Sequence, residues 1–130
     1  MKKLCGFTLI ELMVVILIVG VLAAAAVPLM RGRIDRSKWT EANAGAGAIR
    51  TAMKTYLMET GNIVTGSLTN ASVQQALEIQ SGDLTGSYFV AADYNIDSVN
   101  ANGIAVITIT GSQSNAPSGS KTLALDGTFE

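Results

Sequence analysis

The chain has 130 residues, 48% of them hydrophobic, with a formal net charge of −1, one cysteine and no histidine. A lone cysteine excludes an internal disulfide framework, and without histidine there is neither a Cys/His zinc site nor a histidine general base. A near-neutral chain gives no electrostatic case for nucleic-acid binding, which would need a clustered basic surface, and no phosphate-binding loop occurs in it.

Hydrophobicity is unevenly spread. Phe7 to Met30 is 24 residues with one charge, Glu11, whereas the chain from Gly61 onward is rich in Gly, Ser, Thr and Asn. As a helix the apolar stretch measures ~36 Å at ~1.5 Å per residue, enough to cross a bilayer core of about 30 Å with some tilt. The contrast predicts an apolar anchor joined to a polar domain. One reading is an ordinary single-pass anchor. Another is a removable secretory signal, with Lys2 and Lys3 as its basic end and Ala24-Ala25-Ala26 as small residues for cleavage. Neither gives Glu11 a purpose. A carboxylate deep in an apolar helix costs about 3 kcal/mol even on a lenient insertion scale, and such a residue marks a function and needs a partner. The alternative is that Glu11, five residues past Gly6, sits near the membrane interface and reaches water.

Gly6-Phe7-Thr8-Leu9-Ile10-Glu11-Leu12 follows a short basic leader, Met1 to Gly6, and is followed by Gly20 and Pro28. This arrangement resembles the type III signal of bacterial type IV prepilins and type II secretion pseudopilins, closely over residues 1–35 and loosely beyond. The resemblance implies cleavage between Gly6 and Phe7 by a membrane-embedded aspartyl prepilin peptidase, then N-methylation of Phe7. It implies that Glu11 sets assembly register by facing the amine of the next copy in a helical filament, or its own amine while the subunit waits in the membrane. Pairing opposite charges in low dielectric recovers much of the desolvation cost of each. The implied location is the bacterial inner membrane before assembly, C-terminus outside, and a cell-surface or periplasmic filament afterwards. The implied partners are further copies, related minor subunits, the peptidase, and an inner-membrane assembly platform with a separate ATPase. No enzymatic activity, cofactor or metal is implied.

Within the apolar helix, Pro28 lacks an N–H and Gly20 weakens the helix by roughly 1 kcal/mol relative to Ala. By resemblance, Gly20 to Pro28 is the stretch that loses helical form on assembly; the other reading is a simple kink in a membrane helix. Arg31, Arg33, Arg36 and Lys38 follow, with Asp35 against them. They read as a collar at the membrane surface touching lipid phosphates, or as partners for acidic groups of neighbouring copies. Trp39, Ala42, Ala46, Ile49, Met53 and Tyr56 then recur at spacings of three and four, one face of an amphipathic helix widened by Leu57. Glu59-Thr60-Gly61 reads as its end, with Gly61 left-handed. One helix from Phe7 to Thr60 follows, and its small-sided run Ala42 to Ala48 predicts close packing against a sheet.

Beyond it, Gly61 to Leu68 reads as an irregular connection, and Asn70 or Ser72 as the cap of a short helix, Val73 to Ile79. Strands are predicted at Ser87 to Tyr94, Gly103 to Thr110 and Lys121 to Leu125. The fold class is therefore α+β and pilin-like: a long N-terminal helix, its apolar half exposed and its amphipathic half packed on a small antiparallel sheet. The divisions are a leader (1–6), a membrane or filament-core helix (7–30), its amphipathic half (31–60) and a globular domain (61–130). Asp93-x-Asn95-x-Asp97 has the first three spacings of a calcium loop, but Ser98 and Ile104 stand where its Gly and Glu belong, so a turn held by Asx side chains is expected. Asp126 and Glu130 are the other carboxylates that folding could bring to a calcium site. The mature chain would lack the Cys pair of many pilins and the Tyr-Pro of major pseudopilins, so the subfamily stays open. A secreted hydrolase is the weakest reading, since Ser and Asp are abundant but Gly-x-Ser-x-Gly and His are missing. A membrane-tethered or secreted binding or adhesion domain is the alternative, and it leaves Glu11 and the short leader without cause.

Overall fold

The structure, a computed structural model, describes residues 1–2 and 6–130. Lys3 of the basic leader and Cys5 lie outside the described residues. The chain divides into two units, Met1–Arg36 and Ser37–Glu130. Helix α1, Leu9–Thr60, contributes to both. It is followed by β1 (Gly66–Ser67), α2 (Ala71–Leu77), two short 3-10 turns (Ser81–Leu84 and Ala91–Asp93), β2 (Tyr94–Val99), β3 (Ala105–Thr110) and β4 (Ser120–Leu123).

In the first unit, α1 begins two residues after Phe7 and stays helical through Gly20 and Pro28. Every residue from Leu9 to Ser37 is exposed. None of the described residues covers the apolar stretch, so its burial has to come from outside the polypeptide.

In the second unit the predicted stripe is the buried face. Trp39, Ala42, Ala46, Ile49 and Met53 join Tyr94, Ile96, Ala105, Ile107, Ile109 and Leu123 in one core, with Tyr56 at its edge. The sheet is an antiparallel meander, β1-β2-β3-β4. Strand alternation selects its inner face: in β3, Ala105, Ile107 and Ile109 are buried while Val106, Thr108 and Thr110 point the other way. A bulge between Ile96 and Ser98 lets Asp97 turn outward. Gly45 explains half of the small-sided run: a Cβ there would stand 2.7 Å from Tyr94 Cζ. Arg50 pins the helix to the sheet, its Nε and Nη2 donating to the Ala105 carbonyl at 3.0 and 2.7 Å and Nη2 reaching the Leu123 and Ala124 carbonyls at 3.1 and 2.7 Å.

The α+β architecture matches the sequence reading, and so does the left-handed Gly61, at φ 72°. Four details differ. The connection expected from Gly61 to Leu68 contains β1, Gly66–Ser67, which pairs with β2 and adds a strand to the predicted three. The strand predicted at Ser87 to Tyr94 is not one. The Glu41 carboxylate of α1 accepts from the backbone N–H groups of Ser87, Tyr88 and Phe89 at 3.1, 2.9 and 3.0 Å, and Asp93 Oδ2 accepts from Val90 at 2.9 Å. Those donors are therefore unavailable to a ladder, and the strand starts only at Tyr94. Asn95 and Asp97 consequently lie on β2 and not in a turn; Asp97 accepts from Asn95 Nδ2 at 2.7 Å and from Thr108 Oγ1 at 2.6 Å. The short helix begins and ends two residues early, because Glu78 adopts φ 53° and stops it before Ile79. Asn70 holds the cap position without a side-chain bond, and Ser72 is inside the helix.

The C-terminal residues add a pairing that composition does not suggest. Thr122 N–H donates to the Glu130 carbonyl at 2.6 Å, Glu130 N–H donates back at 3.1 Å, and Leu123 bridges Phe129. Phe129 meets Trp39 edge-on at 6.0 Å, with Lys121 Nζ 5.3 Å from its ring.

Candidate assembly site at the start of the helix

The residues singled out by sequence at the N-terminus lie at the entry to α1. Gly6 and Phe7 precede it, both exposed, Phe7 at 83%. A side chain at Gly6 would meet nothing within 4 Å, and the same holds at Gly20. The fold itself asks for a glycine at neither position.

Thr8 and Glu11 form the first turn. The Thr8 N–H and Oγ1 both donate to Glu11 Oε2 at 2.8 Å, and the Glu11 N–H donates to Thr8 Oγ1 at 3.3 Å. This is a capping box, which satisfies two of the N–H groups that every helix start leaves without partners. It gives Glu11 a local role in the chain as it stands, and Thr8 is the residue that sequence reasoning missed. The signal was present: Thr8-x-x-Glu11 directly before an apolar run is the pattern of such a box. Both members lie on the same side of the Gly6–Phe7 bond.

Chemically the arrangement fixes a carboxylate one turn from the residue that would carry a new amine. Only Oε2 is engaged with Thr8; the second carboxylate oxygen can take a further donor. After Glu11 the exposed surface is apolar as far as Met30. Among the described residues, α1 is the one helix long and apolar enough to cross a membrane. Pro28 stands within it and Arg31, Arg33, Asp35 and Arg36 close the unit.

No group of three or more His, Cys, Asp or Glu among the described residues could hold a metal ion. Asp93 is buried and spent on the Val90 and Ser112 N–H groups at 2.9 and 3.0 Å, and Asp126 accepts from Thr128 N and Oγ1 at 2.9 and 2.7 Å. These carboxylates serve the loops around them.

Comparison with known proteins bears on this N-terminus directly. The family model described as the prokaryotic N-terminal methylation motif matches residues 1–27. The fimbrial protein EcpC of Eikenella corrodens is 38% identical over 125 residues, 95% of this chain and 74% of that protein. The type IV major fimbrial protein FimA of Dichelobacter nodosus is 36% identical over 100 residues, 68% of this chain and 64% of the relative. Two further FimA proteins from that organism align over only 35% and 34% of their length, so the chain spans between a third and two thirds of these FimA relatives. The type II secretion system core protein G of Pseudomonas aeruginosa is 39% identical over 86 residues, 66% of this chain and 56% of that protein. With a methylation signal at its start and a fimbrial relative matched along nearly all of its length, the chain belongs to the type IV pilin and type II secretion pseudopilin family.

Proposed function

We propose that the protein is a structural subunit of a type IV pilus or type II secretion pseudopilus, held by residues 7–30 in the bacterial inner membrane until it enters a helical filament. The observation that carries this reading is the first unit itself. A helix exposed from Leu9 to Ser37 has no use in a soluble monomer, and its apolar residues are covered equally well by lipid or by copies of themselves. Membership of a family of structural subunits supports the same role and no enzymatic one.

In this scheme a prepilin peptidase removes residues 1–6 at the Gly6–Phe7 bond and Phe7 is N-methylated. The new amine is cationic. The capping box leaves one Glu11 oxygen for it, either within the subunit or from the next copy along the filament. Gly20 and Pro28 are the positions where α1 yields during packing, since Pro28 leaves the carbonyl one turn before it without an intrahelical donor. A separate ATPase on an assembly platform supplies the work of extraction. Residues 61–130 form the outward domain, where related subunits and surroundings are met.

Intact mass and N-terminal sequencing of the protein from its native membranes tests the processing step, with a methylated Phe7 as the expected start. A chain starting at Val27 would remove the amine from the scheme and favour a secreted binding domain. Glu11→Ala is expected to be cleaved normally yet to give fewer than a tenth of wild-type filaments, because removing a hydrogen bond to a charged group costs about 1.5–3 kcal/mol; normal filaments from that variant would refute the role of Glu11.

A further inference from the structure

We infer that Arg31, Arg33 and Arg36 form a ring that selects anionic phospholipid headgroups around the anchor, on the side of the membrane that carries the folded domain. The inference rests on the membrane-anchor reading above and adds a ligand class to it. Three observations meet here. The ring begins at the residue after Met30, where the apolar span ends. All three arginines are exposed, and Arg36 Nε donates to the Gly32 carbonyl at 3.3 Å, which fixes the root of its guanidinium against the helix.

Their placement around α1 is the deciding feature. At ~100° per residue, Arg33 lies roughly 200° and Arg36 roughly 140° around the helix from Arg31. Cations on opposite sides of a helix suit a layer that encircles it, as headgroups do around an anchor that has not yet entered a filament. The axial extent agrees. Arg31 to Arg36 rises ~7.5 Å at ~1.5 Å per residue, and the headgroup region on each side of a bilayer is roughly 5–8 Å deep. Three cations less the one carboxylate, Asp35, leave residues 31–36 with a charge of +2, and guanidinium forks bind phosphate oxygens in pairs. Phosphatidylglycerol or another net-anionic headgroup is the matching ligand; a zwitterionic headgroup offers the same phosphate without the net charge that would enrich it.

The test uses the full chain in phosphatidylcholine vesicles with and without phosphatidylglycerol. Flotation first establishes insertion. Trp39, the chain's single tryptophan, is three residues past Arg36 and serves as donor to trace dansyl-labelled phosphatidylglycerol or dansyl-labelled phosphatidylcholine. Since Trp39 is only 8% exposed, transfer reports the local concentration of probe and not direct contact. Transfer to the anionic probe is expected to be roughly threefold greater, in line with surface attraction of basic residues to anionic leaflets. The triple variant Arg31→Gln/Arg33→Gln/Arg36→Gln should float equally and bring the ratio to about one, and the triple Lys variant should restore most of it. A wild-type ratio near one in floating vesicles overturns the inference and leaves the anchor standing. A chain that does not float overturns the anchor and the ring with it. If the Gln variant floats and keeps the wild-type lipid ratio, the arginines do not carry the selection and the inference is overturned.

Discussion

At the scale of single residues, two glycines two positions apart on α1 have opposite meanings. Gly45 faces Tyr94, and a Cβ there would press into the ring; Gly47 has nothing within 4 Å. Gly45→Ala is therefore expected to destabilise the folded unit by about 1–3 kcal/mol through overpacking, while Gly47→Ala gains about 0.5–1 kcal/mol of helix stability. Thermal unfolding of the full chain in detergent separates the two. Tyr94 itself gives a pH signature. Burial, then the nearby Glu41 and Asp93 charges, raise its phenol from an ordinary 10.0 to about 12. A raised folded-state pKa means the contribution is fully present below pH 10 and is lost as the pH climbs from there towards about 12. The melting temperature should fall across that window, and Tyr94→Phe should flatten the fall.

Among the elements, the segment before β2 has its backbone donors held by a distant side chain. Glu41 supplies the acceptor that three successive N–H groups of Ser87, Tyr88 and Phe89 would otherwise seek in a neighbouring strand. Glu41→Ala is expected to raise hydrogen exchange at the Phe89 amide by at least tenfold, with smaller rises at Tyr88 and the exposed Ser87, while exchange within β3 stays unchanged, because an unsatisfied buried donor costs about 1–3 kcal/mol. Unaltered exchange at Phe89 would contradict this. The same segment shows why the sequence is only partly readable. Tyr88, Phe89 and Val90 have strand composition, and local pattern cannot reveal that a carboxylate 46 to 48 residues away takes the donors of Ser87, Tyr88 and Phe89. The helix face from Trp39 to Met53 and the alternation of β3 are legible because each is set by periodicity alone. Glu78 is not legible, since a left-handed non-glycine carries no compositional mark. In the candidate site, Gly6, Phe7 and Glu11 stand out, but Thr8 blends into its apolar neighbours although its hydroxyl completes the first turn.

On the scale of the whole molecule, the two units obey different solvents. The second runs from Ser37 to Glu130, has its own core, and closes on itself through the pairing of Thr122 with Glu130. The first has no buried residue after Leu9. A chain beginning at Ser37 is accordingly expected to remain dispersed without detergent and to unfold in one cooperative step, whereas the full chain should require detergent or lipid. Light scattering and denaturant titration of the two forms check this; aggregation of the shorter form would mean that Trp39 and its surroundings depend on residues 7–36.

The attachment of the sheet to α1 has a mechanical consequence. In the filament proposed above, held through residues 7–30, tension enters each subunit along the backbone of α1, including the stretch that yields between Gly20 and Pro28. The strands hang from the face of Trp39, Ala42, Ala46, Ile49 and Met53, and the pairing of Thr122 with Glu130 closes on the sheet itself. No strand is in series with the pull. The sheet and its loops can therefore change in sequence, or even melt, while the fibre keeps its tensile strength, which leaves the outward surface open to selection for whatever it must touch.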